Sequence, residues 1–206
     1  MRIGQVVKLG LLCIFAAGAN YLLNNLSVYI IKTPLYIDTV FTAAVGFAAG
    51  FIPGIVTALL TSAAESVKEG SFNPFFLCSI AEVCIVCILK PRNAEGSAPG
   101  QLQKKEISVA MVVDIFARLI VLYIVCALAV SVLGGVIDFI YYDVLLMPKK
   151  YFSAEDTFKI GLLDSGIPSL AINILSRIPV NVVDRFIVIL GGYGVAVLYR
   201  KTGYNN

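Results

Sequence analysis

Eight ionisable side chains interrupt otherwise apolar stretches of this sequence: Asp38, Glu65, Glu82, Asp114, Arg118, Arg177, Asp184 and Arg185. A charge in hydrocarbon costs at least about 2.5–3.5 kcal/mol on insertion scales, so each of these groups needs a partner or a task. Asp114 and Arg118 are spaced i, i+4 and can pair on one helix face, which reads as structural pairing. Glu82 has no such neighbour. Midway along an apolar run, it should face a bundle interior, bonded to another helix or to Arg118 or neutral by protonation, or contribute to a site. Glu65 follows a run of small residues and reads as an interfacial group. Asp38, after TPLYI, is expected in the first turn of a helix, where an acid suits the helix dipole. Asn20, Asn24, Asn25 and Tyr21 add polar groups at the same level, and Asn73 precedes Pro74. Farther on, IPVNVVDRF brings Asn181, Asp184 and Arg185 within about one helical turn. Polar groups from separate segments at one depth are what a solute site in an apolar bundle requires, with interfacial solvation of each group as the competing explanation. The candidate substrate-binding set is therefore Asp38, Asn73, Glu82, Asn181, Asp184 and Arg185.

Catalytic chemistry has no comparable footing. The chain has no histidine, no phosphate-binding glycine loop and no nucleophile elbow. Cys84 and Cys87 form a CxxC, but with no second pair and no histidine a zinc or redox centre is not expected. Cys13, Cys78 and Cys126 also lie in apolar runs, as reduced buried thiols do. No catalytic residue, metal or cofactor is expected, and the chain does not read as an enzyme. The net charge of +3 is small and spread over the loops, without the basic aromatic patch of a nucleic-acid binder.

The elements that must hold these residues follow from composition. Of the 206 residues, 59% are hydrophobic and 14% charged, with a mean hydropathy of +0.89. Soluble chains run at about 45–50% apolar and about 25% charged, so lipid must supply part of the apolar environment. Backbone amides in hydrocarbon must be satisfied within their own segment, and the chain lacks the alternating pattern of a barrel, so the spans are helices. The expected fold is an all-α membrane protein: residues 1–206 as a single transmembrane bundle of six helices near 6–23, 36–50, 53–66, 74–89, 107–133 and 179–199. GFAAGFIPGIV, with Gly46, Gly50, Pro53 and Gly54, predicts a short hairpin between the second and third, with one kinked helix as the alternative. Arg2, Lys8 and the AAGA at 16–19 resemble a signal peptide, but the apolar run continues past Ala19.

Loop charge sets the orientation. Arg2 and Lys8, then Lys90, Arg92, Lys104 and Lys105, then Arg200 and Lys201 make eight of the 16 basic residues on one side of a six-span bundle. The other side has Lys32, Lys68, Lys149, Lys150 and Lys159. Both termini and the polar linker 90–106 are predicted cytoplasmic. The stretch 134–178 is expected as an extracellular helical capping segment, with a helix start at SAED from Ser153 and Pro179 separating it from the last span.

Two segments, LYIDTVFTAAVGFAAGFIPGIVTALLTS and ILSRIPVNVVDRFIVILGGYGVAVLYRK, resemble the substrate-binding (S) components of energy-coupling factor transporters, closest in layout to riboflavin-type members. The first is similar to the second-to-third span hairpin of that family. The second is similar to a pattern in which Pro-x-Asn opens the final helix and a basic residue follows it. The resemblance covers most of the chain. It implies a subunit of a bacterial plasma (inner) membrane importer that captures a vitamin-like small molecule from outside. The implied site lies in the outer loops and outer halves of helices four to six. Its implied partners are membrane lipid, a transmembrane scaffold (T) component and two ATPase subunits that drive release by toppling the bundle. Relatives often show Ala-xxx-Ala in the first helix for scaffold docking, and the nearest pair here is Cys13 and Ala17. Where many relatives have a lysine after Pro-x-Asn, this chain has Asp184 and Arg185. A membrane sensor input domain and an envelope or cell-shape scaffold protein are the alternative readings, the sensor being disfavoured because no output domain follows Asn206.

Overall fold

A computed structural model describes residues 3–27, 35–91, 109–148 and 154–202, and among them every regular element is a helix. The elements are α1 (Ile3–Asn25), α2 (Val40–Ala49), α3 (Phe51–Glu69), α4 (Phe76–Leu89), α5 (Val109–Asp138), α6 (Ala154–Leu162) and α7 (Ser169–Lys201). A π-helical stretch, Phe139–Val144, prolongs α5, and a single 3-10 turn, Leu163–Ser165, closes α6. Three helical segments are long and apolar enough to cross a membrane: α1, Val109–Val144 and α7. The exterior is apolar as well. Leu11, Ile14, Phe15 and Leu22 of α1, Val113, Phe116 and Ile120 of α5, and Val183 and Phe186 of α7 are all exposed. So large an apolar surface is out of place in water and suits a membrane-embedded protein.

Contacts between side chains fix the direction of each helix. Cys13 donates to the Pro53 carbonyl and Asn24 to Glu65, so α1 runs parallel to α3. Thr39 reaches Glu82 while Cys87 reaches the Gly46 carbonyl, so α2 runs parallel to α4. Arg185 meets Thr39 and Arg200 meets the Phe47 carbonyl, which aligns α7 with α2. Asn181 meets Ser131, and Arg177 meets Asp138, which opposes α7 to α5. Helices α1, α3 and α5 therefore run one way and α2, α4 and α7 the other. At the core, Val40, Ala43 and Phe47 of α2 meet Val86, Leu122, Cys126, Val188 and Ile189.

Two backbone features make this packing possible. Gly50, at φ 91°, breaks the helical run between α2 and α3 in a conformation that a side chain resists. Gly135 lets α7 approach α5 so closely that a Cβ there would stand 2.6 Å from Ile174 Cα. In lipid, where apolar surface alone does not draw helices together, such close contact is a main source of cohesion.

Several expected boundaries are corrected. Residues 134–178 do not form one separate cap: their first part prolongs α5, their last part belongs to α7, and α6 lies between. Pro179 lies inside α7 and does not separate elements. Proline removes one backbone bond, but Arg177 and Asn181 on either side of it anchor the helix to α5. α2 starts at Val40, so Asp38 precedes the helix and is not part of its first turn. The linker beyond Pro91 up to Lys105, with Lys32, Lys149, Lys150 and Ser153, lies outside the described residues.

Candidate functional site

One face of α7 carries Arg177, Asn181, Asp184 and Arg185, at i, i+4, i+7 and i+8, the spacing that stacks side chains along a helix. All four are buried, and together they meet α4, α5, α6 and the segment before α2. Arg185 donates through Nη1 to Glu82 Oε2 of α4 and to Thr39 Oγ1 at 3.0 Å, and through Nη2 to the Tyr36 carbonyl at 3.0 Å. Thr39 in turn donates to the same Glu82 oxygen at 3.2 Å. Asp184 Oδ2 accepts the Tyr36 backbone N–H at 3.1 Å. Two adjacent residues of α7 thus clamp the non-helical 36–39 segment that leads into α2. Asn181 donates to Ser131 Oγ of α5 at 3.0 Å.

One turn earlier, Arg177 donates to Asp138 Oδ2 at 2.8 Å and to Glu155 Oε1 of α6 at 3.1 Å, with its guanidinium 4.7 Å from the Phe75 ring centre. Lys159 adds a second cation 3.8 Å from Asp138. The Tyr36 hydroxyl donates to Glu155, at 2.9 Å to Oε2, joining the two arginine networks through a single side chain.

A second polar cluster ties α1 to α2 and α3. Asn20 donates to Thr42 and Thr61 Oγ1 at 2.9 and 3.2 Å, and its Oδ1 accepts the Phe41 N–H at 2.9 Å. Asn24 and Asn73 donate to the two oxygens of Glu65 at 2.9 and 3.2 Å. Asp38 interacts electrostatically with Glu65 and with Arg185, which places it between the clusters. These residues belong to the C-terminal halves of α1, α3 and α5, to the segments just before α2 and α4, to the first halves or middles of α2, α4 and α7, or to α6. With the alternating helix directions, they share one end of the bundle.

The structure brings Glu82, Asp184 and Arg185 together at the 36–39 segment, holds Asn181 a turn away on Ser131, and sets Asn73 and Asp38 beside Glu65. Glu82 bonds Arg185 and not Arg118. Arg118 instead pairs with Asp114 at 3.0 Å on the outer face of α5, the two side chains 45% and 44% exposed. Glu65, expected as an interfacial group, is buried and bonded by two amides. Cys13 and Ala17 are also corrected as docking residues. Both are buried, and Cys13 bonds α3, so neither can present a surface to another subunit. Reading the sequence for interrupted apolar runs missed Tyr36, Thr39, Ser131, Asp138 and Glu155. The heptad-like spacing of Arg177, Asn181, Asp184 and Arg185 was the signal for a continuous helix through Pro179, and hence for a buried acid opposite Arg177.

Five buried polar atoms have no hydrogen-bond partner among the described residues: Glu82 Oε1, Asp184 Oδ1, Arg185 Nε, Asp138 Oδ1 and Asn173 Oδ1. Three of them surround the Arg185 clamp. No group of three or more His, Cys, Asp or Glu side chains with metal-binding geometry occurs among the described residues. Fold and site together define an all-helical, membrane-embedded bundle with a buried charged network at one end. No protein-family model, curated protein or solved structure matches the chain.

Proposed function

We propose that this chain is a solute-capture subunit of a bacterial plasma-membrane importer for a vitamin or related micronutrient, of the energy-coupling factor type that its sequence resembles. On this reading α1, α2, α3, α4, α5 and α7 are the six spans, both termini are cytoplasmic, and the polar end faces outward. The scaffold (T) component and two ATPase subunits supply the work of release, and this chain supplies recognition. The basic residues at the opposite end agree with that orientation. Arg200 and Lys201 close α7 there.

The brevity of α2 fits the proposal. Ten residues make about 15 Å of helix, half of a hydrocarbon core of about 30 Å. Yet Val40, Thr42, Ala43, Ala44, Val45, Gly46 and Phe47 are all buried, so α2 is sheathed by other helices and need not match the lipid. The non-helical 36–39 segment that completes it is bonded to Arg185 and Asp184, as irregular backbone at membrane depth requires.

The observation that carries the reading is the convergence of Glu82, Asp184 and Arg185, each fully or nearly fully buried and each keeping one polar atom unpartnered. Screening vitamins and their precursors against the purified protein by thermal stabilisation tests it. A true ligand raises the unfolding temperature, and Asn181→Ala and Arg185→Gln weaken its binding about ten- to hundredfold, the loss of one buried polar contact. A ligand that binds both variants as tightly as the parent places recognition elsewhere. If no solute shifts the transition, the importer reading fails.

A further inference from the structure

Counting charge across the two networks shows an asymmetry. Around Arg177 the balance is even: Asp138 and Glu155 face Arg177 and Lys159. Around Arg185 it is not. Glu82, Asp184 and Asp38 all feel the same single guanidinium, and Glu65, next to Asp38, is held by the neutral amides of Asn24 and Asn73. Lys68 also reaches Glu65 electrostatically, but Glu69 opposes it. Among the described residues, Glu82, Asp184 and Asp38 therefore share one buried cation, with Glu65 beside Asp38.

The unpartnered atoms show the kind of group that would restore the balance. Glu82 and Asp184 are 0% exposed, and each leaves one oxygen without a donor. Oxygens accept, so their complement is a donor or a cation. An anionic ligand would meet three carboxyls and one guanidinium among the described residues. Unpaired carboxylates away from water are among the costliest arrangements in a protein interior, and a cation seated among them removes that cost. Arg185 Nε, the one buried donor without a partner among the described residues, carries a single N–H and so could take only one acceptor.

We propose that the polar end of the bundle binds a monovalent cationic group between Glu82, Asp184 and Asp38, either the ammonium of an organic solute or an alkali ion. This rests on the capture-subunit reading only in its ammonium form, where it narrows the substrate class to amine-bearing solutes. Protons on the same oxygens are the competing way to balance the charge.

The full chain, purified in lipid nanodiscs and N-methylglucamine chloride buffer, is titrated with sodium, potassium, methylammonium and ethanolamine at constant ionic strength. Unfolding temperature is the readout. The expected result is a saturable rise with at least one cation, its midpoint moved at least tenfold by Asp184→Asn or Glu82→Gln. Asp38→Asn, at a half-buried position before α2, gives the same test should those two variants fail to fold. A response to methylammonium and ethanolamine alone identifies the ammonium source, and a response to sodium or potassium alone identifies an alkali ion. Stabilisation by acid with no response to any cation, or equal responses in parent and variants, overturns the proposal. A neutral vitamin that binds through Asn181 while every cation fails leaves the capture reading standing and removes only this inference. Carboxyl-dependent cation binding with no solute response does the reverse.

Discussion

Replacing Arg177 with methionine removes the charge while keeping much of the side-chain length. Its partners Asp138 and Glu155 are 0% and 2% exposed, so neither can turn to solvent, and among the described residues Lys159, 3.8 Å from Asp138, is the one remaining cation paired with them. Breaking a buried ion pair from one side costs about 3–5 kcal/mol, because the other charge is left uncompensated. The lost stacking on Phe75 adds on the order of 1 kcal/mol. With roughly 2–4 °C per kcal/mol for a chain of this size, the transition should fall by about 8–24 °C. Cys13, Cys78 and Cys126 are buried, so a thiol-reactive fluorophore reports unfolding directly. Arg177→Lys should fall between parent and Arg177→Met, because an ammonium keeps the charge but cannot bridge two carboxylates as a planar fork does. Asp114→Asn, which breaks the exposed pair on α5, should move the transition by about 2 °C or less. If Arg177→Met behaves like Asp114→Asn, the buried network does not hold α5, α6 and α7 together and the reasoning is wrong.

Gly135→Leu should lower the unfolding temperature by at least several degrees, because its Cβ would fall against the backbone of Ile174, whereas Gly18→Ala, with nothing within 4 Å, should be neutral. Asn20→Leu leaves Thr42, Thr61 and the Phe41 amide without their shared partner. A loss of about 2–4 kcal/mol is expected from thermal unfolding, and a change under about 0.5 kcal/mol would deny Asn20 its role. Single cysteines introduced within 92–106 should resist an impermeant thiol reagent in intact cells while one at position 149 reacts; the opposite pattern inverts the proposed orientation. Purified alone, the chain should hydrolyse no ATP, and turnover that survives removal of contaminating ATPases would contradict a recognition role.

Helix type and approximate position were legible because an apolar run leaves the backbone no other way to satisfy itself. Ends were less so. Asp38 read as a first-turn acid, since sequence alone cannot reveal that Arg185 and Asp184 hold residues 36–39 outside the helix. Pro179 read as a boundary because local proline chemistry favours one, and the anchors that override it lie on α5, far away in sequence. Glu82, Asp184 and Arg185 were identifiable singly, as charges in hydrocarbon. Their pairing was not, because it depends on how α4 and α7 face each other. Asp138 and Glu155 were missed since both fell in a stretch assigned to a surface cap, where acids need no explanation. Cys13 and Ala17 show the converse error, in which small residues on α1 serve contact with α3 and not with another subunit.

The placement of three charges on α7 also bears on how the protein is made. Arg177, Asp184 and Arg185, inserted alone, would together cost on the order of 8–10 kcal/mol on insertion scales, enough to offset much of the gain from its apolar residues. Every partner that neutralises or bonds them, Asp138, Glu155, Glu82 and the Tyr36 backbone, is synthesised earlier in the chain. In the six-span arrangement, α7 is then a helix whose entry into the bilayer depends on helices already waiting there. Insertion of α7 should therefore be a docking step, the nascent helix leaving the insertion machinery only as its arginines find acids already in the membrane. Until then those acids are themselves unpaired, which makes a chain stalled before α7 a ready target for membrane quality control.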